Sequence, residues 1–132
     1  MGGRRVLVAG NCAKDHRAIQ SLLEQHFCAV VERADTCADV EQALAGARYG
    51  LVLVNREFFA DGSDGVALIG KIRCDTRLDQ TPAMLISNFV EAQEAAIASG
   101  AAAGFGKAAM TAPETIKRLA QYLPRRASAD AH

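Results

Sequence analysis

Five short apolar runs alternate along the chain with segments in which apolar residues recur three and four positions apart. The runs predict buried β-strands and the spacing predicts amphipathic helices. Near-continuous apolar strands favour a sheet that is buried on both faces. We therefore predict an α/β fold, a single doubly wound five-stranded parallel sheet flanked by five helices. The predicted strands are residues 5–9, 29–31, 51–54, 83–86 and 102–106.

The alternation ends near residue 123, and we predict that residues 1–123 form one domain. A chain of 132 residues has the usual size of a single domain. The last residues, 124–132, are mostly small and polar with a pair of arginines, which predicts a flexible C-terminal tail or linker.

The charge balance excludes several classes of partner. Lys plus Arg and Asp plus Glu both number 15, so electrostatics gives no reason to expect direct contact with nucleic acid. The apolar runs are too short to span a membrane and the N-terminus lacks a signal-peptide pattern, so we expect a cytoplasmic protein with no membrane contact.

The cysteines and histidines lack the spacing of zinc ligands, so we expect no metal site. The cysteines, expected to be reduced and mostly buried, are Cys12, Cys28, Cys37 and Cys74.

Polar residues follow the predicted strands at the edge where open parallel sheets bind ligands. They comprise amides, a hydroxyl and an ammonium group, with no carboxylate directly at a strand end. They are Gly10 and Asn11, Asn55, Ser87 and Asn88, and Lys107.

The order and spacing of five segments resemble the receiver domain of bacterial two-component response regulators over roughly residues 4–123. The segments are RRVLVAGN, YGLVLVN, GSDG, TPAMLIS and SGAAAGFGK. The resemblance implies a flavodoxin-like receiver fold and a role in phosphorelay signal transduction. That family phosphorylates an Asp after the third strand and holds magnesium with it and with two acids after the first strand. A hydroxyl and a lysine bind the phosphoryl group.

Carried over by position, the resemblance places the phospho-acceptor at Asn55 and the metal-binding acids at Gly10 and Asn11. The phosphate-sensing positions are retained as Ser87 and Lys107. A neutral amide cannot form a stable acyl phosphate, and magnesium favours carboxylate ligands. We therefore expect a non-enzymatic pseudo-receiver that binds magnesium weakly or not at all. It would act through protein–protein contacts without Asp phosphorylation.

Other departures from the family concern its switch and its loops. Gly104 stands where an aromatic switch residue is expected, and Ala108 replaces a Pro. The loop from residue 56 to 65 is longer than usual and carries adjacent aromatics, of which one should pack inward and one remain exposed as a contact candidate. These are Phe58 and Phe59. The family's partner surface, the last strand and the two final helices, is the other candidate contact and could support a homodimer.

The alternative function is a phosphorylatable receiver that uses a substitute acid, Asp61 or Asp64. Asp64 precedes the third predicted helix, where N-capping is expected. For Asn55 we predict a local capping role with a hydrogen bond to Lys107 or Ser87, and for Lys107 no carboxylate partner. A nucleotide- or flavin-binding domain is disfavoured because VAGNCAK lacks the G-x-G-x-x-G spacing.

Overall fold

The computed structural model describes residues 4–78 and 80–126. The five strands are β1 (Arg4–Ala9), β2 (Ala29–Ala34), β3 (Leu51–Asn55), β4 (Ala83–Ile86) and β5 (Ala102–Phe105). The five α-helices are α1 (Ala13–His26), α2 (Cys37–Gly46), α3 (Gly65–Cys74), α4 (Val90–Ala98) and α5 (Pro113–Ala120). All strands are parallel, in the order β2-β1-β3-β4-β5. The predicted fold class is confirmed.

The sheet separates two apolar cores, because successive strand residues point to opposite faces. Leu7, Val52 and Leu85 pack with α2, α3 and α4 on one face. Val8 and Leu53 pack with α1 and α5 on the other face. Burial on both faces explains why these strands have no polar alternation.

Side-chain caps mark the starts of three helices. Cys12 caps α1, Asp64 caps α3, and Thr36 and Asp39 form a reciprocal capping box at α2. Gly100, with φ +109°, follows the end of α4.

The T-x-x-E pattern from Thr111 to Glu114 predicts a capping box at the last helix, and this prediction is wrong. Helix α5 begins at Pro113 with Ala112 as its N-cap, and no side chain caps it. The Thr115 hydroxyl instead donates to the Ala109 carbonyl at 2.7 Å, which ties this helix to the preceding turn. Pro113 occupies the first turn, where a missing N–H costs nothing.

The folded region extends past the predicted boundary at residue 123. The Cys28 N–H donates to the Pro124 carbonyl at 2.8 Å, and the Arg126 N–H donates to the His26 carbonyl at 3.0 Å. The Arg125 guanidinium lies 5.9 Å from the centre of the Phe27 ring. Residues 124–126 therefore pack against the domain, whereas residues 1–3 and 127–132 lie outside the described residues.

The cysteines are free thiols, but the prediction that most are buried is wrong. Cys12 and Cys37 are partly exposed, and Cys28 and Cys74 are exposed. These four residues lie at helix ends and beside a strand start rather than in the sheet interior. None of the helices in residues 4–78 and 80–126 has the length and apolar character needed to cross a membrane.

Candidate functional site

Two adjacent clefts lie at the carboxyl edge of the sheet, where the polar strand-end residues converge. Both clefts are lined by Asn55, Glu57 and Lys107. The first cleft is completed by residues after β4, including Ser87 and Phe89. The second is completed from the start of α1 and from the loop after β3 by Cys12, Asp15, Phe58, Phe59 and Gly62. The structure thus brings together Asn55, Ser87 and Lys107 as lining residues of one cleft.

The Asn55 side chain joins the ends of two strands through its amide hydrogens. Its Nδ2 donates to the Gly10 carbonyl at 3.1 Å and to the Glu57 carbonyl at 2.8 Å. The second bond confirms the predicted local cap of the following loop. The predicted hydrogen bond to Lys107 or Ser87 is wrong: Lys107 donates to Asp15, and the Ser87 hydroxyl accepts from the Phe89 N–H. An aspartate at position 55 would place a carboxylate oxygen, which has no hydrogen atom to donate, against those same two carbonyl oxygens.

Lys107 has a carboxylate partner, contrary to prediction. Its Nζ lies 2.7 Å from Oδ2 of Asp15, and the two side chains are 32% and 35% exposed. The hydrogen bond from Lys107 keeps the pKa of Asp15 below its ordinary value of 3.8. The Asp15 N–H also approaches Cys12 Sγ, which caps α1. The lysine ammonium is therefore held by an acid within the same chain.

Both the backbone conformation at position 10 and the side chain packed against it require a glycine there. Its φ of +84° lies in the left-handed region that side chains disfavour. A Cβ at this position would lie 2.6 Å from Cδ1 of Phe58, whose ring is 1% exposed. Phe58 thus fills the space beside the end of β1 that a side chain at position 10 would need. The buried ring of Phe58 therefore requires a glycine, and not an acid, at position 10.

Asn11 is buried beside the end of β1 but lines neither cleft. It is 4% exposed, and its Nδ2 donates to the Ala9 carbonyl at 3.3 Å. Within the described residues its Oδ1 accepts no hydrogen bond. Asn11 therefore lies outside the clefts that Asn55 and Lys107 line, although all three residues lie at or just after the end of a strand.

The residues after β4 are used to hold backbone. The Ser87 hydroxyl accepts a hydrogen bond from the Phe89 N–H at 3.1 Å, and Ser87 is 8% exposed. Asn88 Oδ1 accepts from the Ala108 N–H at 3.0 Å, which links the ends of β4 and β5. The hydroxyl thus remains at the cleft while already accepting an internal hydrogen bond.

The two candidate substitute acids line neither cleft. Asp64 caps α3 by accepting from the Val66 N–H at 3.0 Å, as predicted. Asp61 is exposed and accepts from the Ser63 N–H at 3.0 Å, and hydrogen bonding from Ser63 lowers its pKa.

The prediction that one loop aromatic packs inward and the other is exposed is confirmed. Phe58 is 1% exposed and Phe59 is 75% exposed. Both line the second cleft.

Gly104, at the expected switch position, lies against β4 and α4. A Cβ there would lie 2.1 Å from the Leu85 carbonyl oxygen and 3.0 Å from Gln93 Oε1. Gln93 Nε2 in turn donates to the carbonyls of Leu85, Ser87 and Phe105. An amide from α4 therefore joins β4 to β5 where an aromatic side chain at position 104 would not fit.

Three important residues were missed by reading strand ends alone: Asp15, Gln93 and Phe89. The start of α1 follows β1 after a short connection, so its first turn borders the same edge of the sheet. That placement could have identified Asp15. The polar Gln93 within an Ala-rich helix was a comparable signal.

Solved structures of response regulators share this fold. No family model and no curated protein matches the chain. The signal receiver domain of a DNA-binding response regulator from Colwellia psychrerythraea 34H is 19% identical, with 89% of this chain and 96% of that chain covered and a TM-score of 0.75. A putative response regulator from Chloroflexus aurantiacus J-10-fl is 16% identical, with 90% and 96% covered and a TM-score of 0.79. NtrX from Brucella abortus in complex with ADP is 21% identical, with 92% and 26% covered and a TM-score of 0.70. The chain therefore has the fold of a response-regulator receiver domain.

Proposed function

We propose that this chain is a pseudo-receiver, a non-enzymatic cytoplasmic signalling module of a two-component pathway that acts through protein–protein contacts. In this proposal no Asp is phosphorylated and no magnesium is needed as a cofactor. The fold supports the receiver class, and the residues at the carboxyl edge of the sheet support the non-catalytic form.

The observation that carries the proposal is the donor role of Asn55. Its amide hydrogens lie against the carbonyl oxygens of Gly10 and Glu57 at 3.1 and 2.8 Å. A carboxylate offers no hydrogen atom to these oxygens, so this local structure favours an amide. The position that would carry a nucleophile instead stabilises the loop after β3.

The Asp15–Lys107 pair supports the same function by a second route. Lys107 is the cation that would meet an incoming phosphoryl group, and its ammonium already contacts Asp15 at 2.7 Å. An incoming anion would have to compete with a carboxylate in the same chain. We infer that the domain holds one conformation at this edge without phosphorylation.

The substitute acids have other contacts. Asp64 is committed to the N-cap of α3, and Asp61 accepts a hydrogen bond in an exposed turn. Neither side chain lines a cleft with Lys107, so neither has the cation near it that phosphoryl transfer needs. The family's partner surface, which includes α4, remains a candidate for homodimer formation through exposed residues such as Ile97.

The test is treatment with acetyl phosphate and magnesium, read by intact mass spectrometry, beside a two-dimensional NMR titration with magnesium and beryllofluoride. A conventional receiver domain in the same buffer is the positive control. We expect no added phosphoryl mass and an unchanged spectrum. Phosphorylation that Asp61→Asn or Asp64→Asn abolishes would overturn the proposal in favour of a substitute acid.

Phosphorylation lost only in Asp15→Asn would overturn it as well. Asp15 is the acid that contacts Lys107, so it must be included in the series although the sequence did not single it out. Glu41→Gln is the matched control for removal of a carboxylate, because Glu41 pairs with Lys71 on the surface.

A further inference from the structure

We propose that Phe59 and Phe89 form one docking surface across the two clefts, and that its occupant is an uncharged apolar segment of another protein. This inference rests on the proposed function, because it supplies the surface and the partner chemistry for a domain that acts through contacts. It differs from the family's partner surface, which includes β5 and the two final helices.

The two aromatic side chains are exposed to an unusual degree. Phe59 is 75% exposed and Phe89 is 57% exposed, and Val90 beside Phe89 is 67% exposed. Large apolar side chains that remain in water together commonly mark an interaction site. Aromatic residues also supply much of the binding energy at protein interfaces.

The backbone of Phe59 is held in place although its ring is exposed. Its N–H donates to the Gly10 carbonyl at 2.9 Å. The neighbouring Phe58 is buried against Gly10, and its own N–H donates to the Ser63 carbonyl at 2.9 Å. The loop after β3 is thereby fixed by a buried aromatic that presents the next one to solvent. Because the backbone of this loop is already fixed, its ordering costs little conformational entropy on binding, which favours affinity.

Phe89 is fixed in a parallel way. Its N–H donates to the Ser87 hydroxyl at 3.1 Å, and the Arg56 guanidinium lies 5.1 Å from the centre of its ring. Arg56 belongs to the loop that carries Phe59, and its N–H donates to the Ile86 carbonyl at 3.3 Å. Gly10 and Ser87, two positions the receiver resemblance assigns to phosphoryl chemistry, thus each hold the backbone of one exposed phenylalanine.

The two clefts that the rings line are adjacent. Phe59 lines one cleft and Phe89 lines the other, and Asn55, Glu57 and Lys107 line both. A single segment that contacts both rings would therefore pass over these three shared residues.

Charge pairing defines the chemistry of the occupant. The charged residues that line the clefts form two ion pairs, Lys107 with Asp15 at 2.7 Å and Arg56 with Glu57 at 3.8 Å. An acidic or basic segment would have to break one of these pairs and would gain no free counter-charge. An uncharged segment with apolar side chains meets the phenylalanines without that penalty.

The experiment selects binders from a library of random peptides displayed on phage, with the full chain as the target. The selected consensus peptide is then the probe for binding measurements with four proteins: the unaltered chain, Phe59→Ser, Phe89→Ser and Ile97→Ser. Both phenylalanines are exposed, so these variants should fold, and circular dichroism checks that they do. Ile97, 49% exposed on α4, is the matched control.

We expect uncharged apolar peptides whose affinity falls about tenfold in either Phe variant and is unchanged in Ile97→Ser. NMR shifts should centre on residues 55–62 and 86–90. Charged peptides, equal binding to all variants, or loss only in Ile97→Ser would overturn the proposal, the last by favouring the surface that includes α4. Self-association of the chain that either Phe variant abolishes would also overturn it, by making a second copy the occupant. None of these outcomes depends on phosphorylation, so a failure here is distinct from a failure of the pseudo-receiver function.

Discussion

Nζ of Lys107 lies 2.7 Å from Oδ2 of Asp15, so the residue after β5 is held by the first turn of α1. The pair links residues 92 positions apart and provides the ammonium with an anion from its own chain. The lysine that the receiver resemblance assigns to phosphate sensing thus has a structural partner.

The Asp15→Asn variant should lose about 1 kcal/mol of unfolding free energy at neutral pH, because the pair is only partly exposed and well aligned. Urea unfolding measures the loss. Glu41→Gln is the matched control, since Glu41 forms a pair of the same length with Lys71 on a more exposed surface. Its loss should be smaller, because solvent screens a pair on a more exposed surface. Equal losses in the two variants would contradict a special role for Asp15.

The same pair predicts a pH dependence. The pKa of Asp15 is lowered in the native state by its hydrogen bond from Lys107, so its stabilising contribution is present above the ordinary Asp pKa of 3.8. The contribution is lost as the pH falls through the lower native pKa. The difference in unfolding free energy between the unaltered chain and Asp15→Asn should therefore shrink toward zero in acid. A difference that grows below pH 3.8 would contradict this assignment.

Gly10→Ala should destabilise the domain by about 2 kcal/mol or more, from the left-handed backbone and the contact with Phe58. Gly46→Ala is the control, because a Cβ at the end of α2 meets no atom within 4 Å and Ala favours a helix. It should be neutral or slightly stabilising. Thermal unfolding of both variants checks the prediction, and similar melting temperatures would show that Phe58 yields easily.

Asn55→Asp should be less stable than Asn55→Ala, although it changes fewer atoms. Both lose the two amide donors, but the carboxylate also faces the Gly10 and Glu57 oxygens. We expect a further loss of about 1–2 kcal/mol for the aspartate. The extra loss should shrink as the pH falls, because a protonated carboxyl again offers one donor. Urea unfolding at two pH values measures both effects, and an aspartate variant as stable as the unaltered chain would disprove the donor role.

Magnesium should leave the stability of the domain unchanged, because Gly10 offers no side chain and Asn55 points its amide hydrogens at backbone oxygens. Melting temperatures in EDTA and in millimolar magnesium should agree. Calcium in place of magnesium controls for ionic strength and divalent charge. A rise of several degrees with magnesium alone would reveal a metal site.

The strands and most helix bounds follow from local pattern. The apolar run at residues 51–54 has no polar alternation because both faces of β3 are covered, and this is visible in the sequence. Caps such as Thr36 and Asp64 act within a few residues, so the chain itself identifies them. The T-x-x-E pattern at Thr111 does not form a cap: α5 begins one position later, with Ala112 as N-cap, and Thr115 instead hydrogen-bonds to the preceding turn.

The sequence by itself determined the receiver fold, the polar set at the strand ends and the absence of acids at positions 10, 11 and 55. Only the tertiary structure decided which groups meet across that edge. Asp15 reaches Lys107 because the first turn of α1 and the segment after β5 lie at the same edge of the sheet, and Phe58 fills the space beside Gly10 because the loop after β3 folds over β1. Such partners lie far apart in the chain, and hydrophobic periodicity carries no information about pairs of this kind.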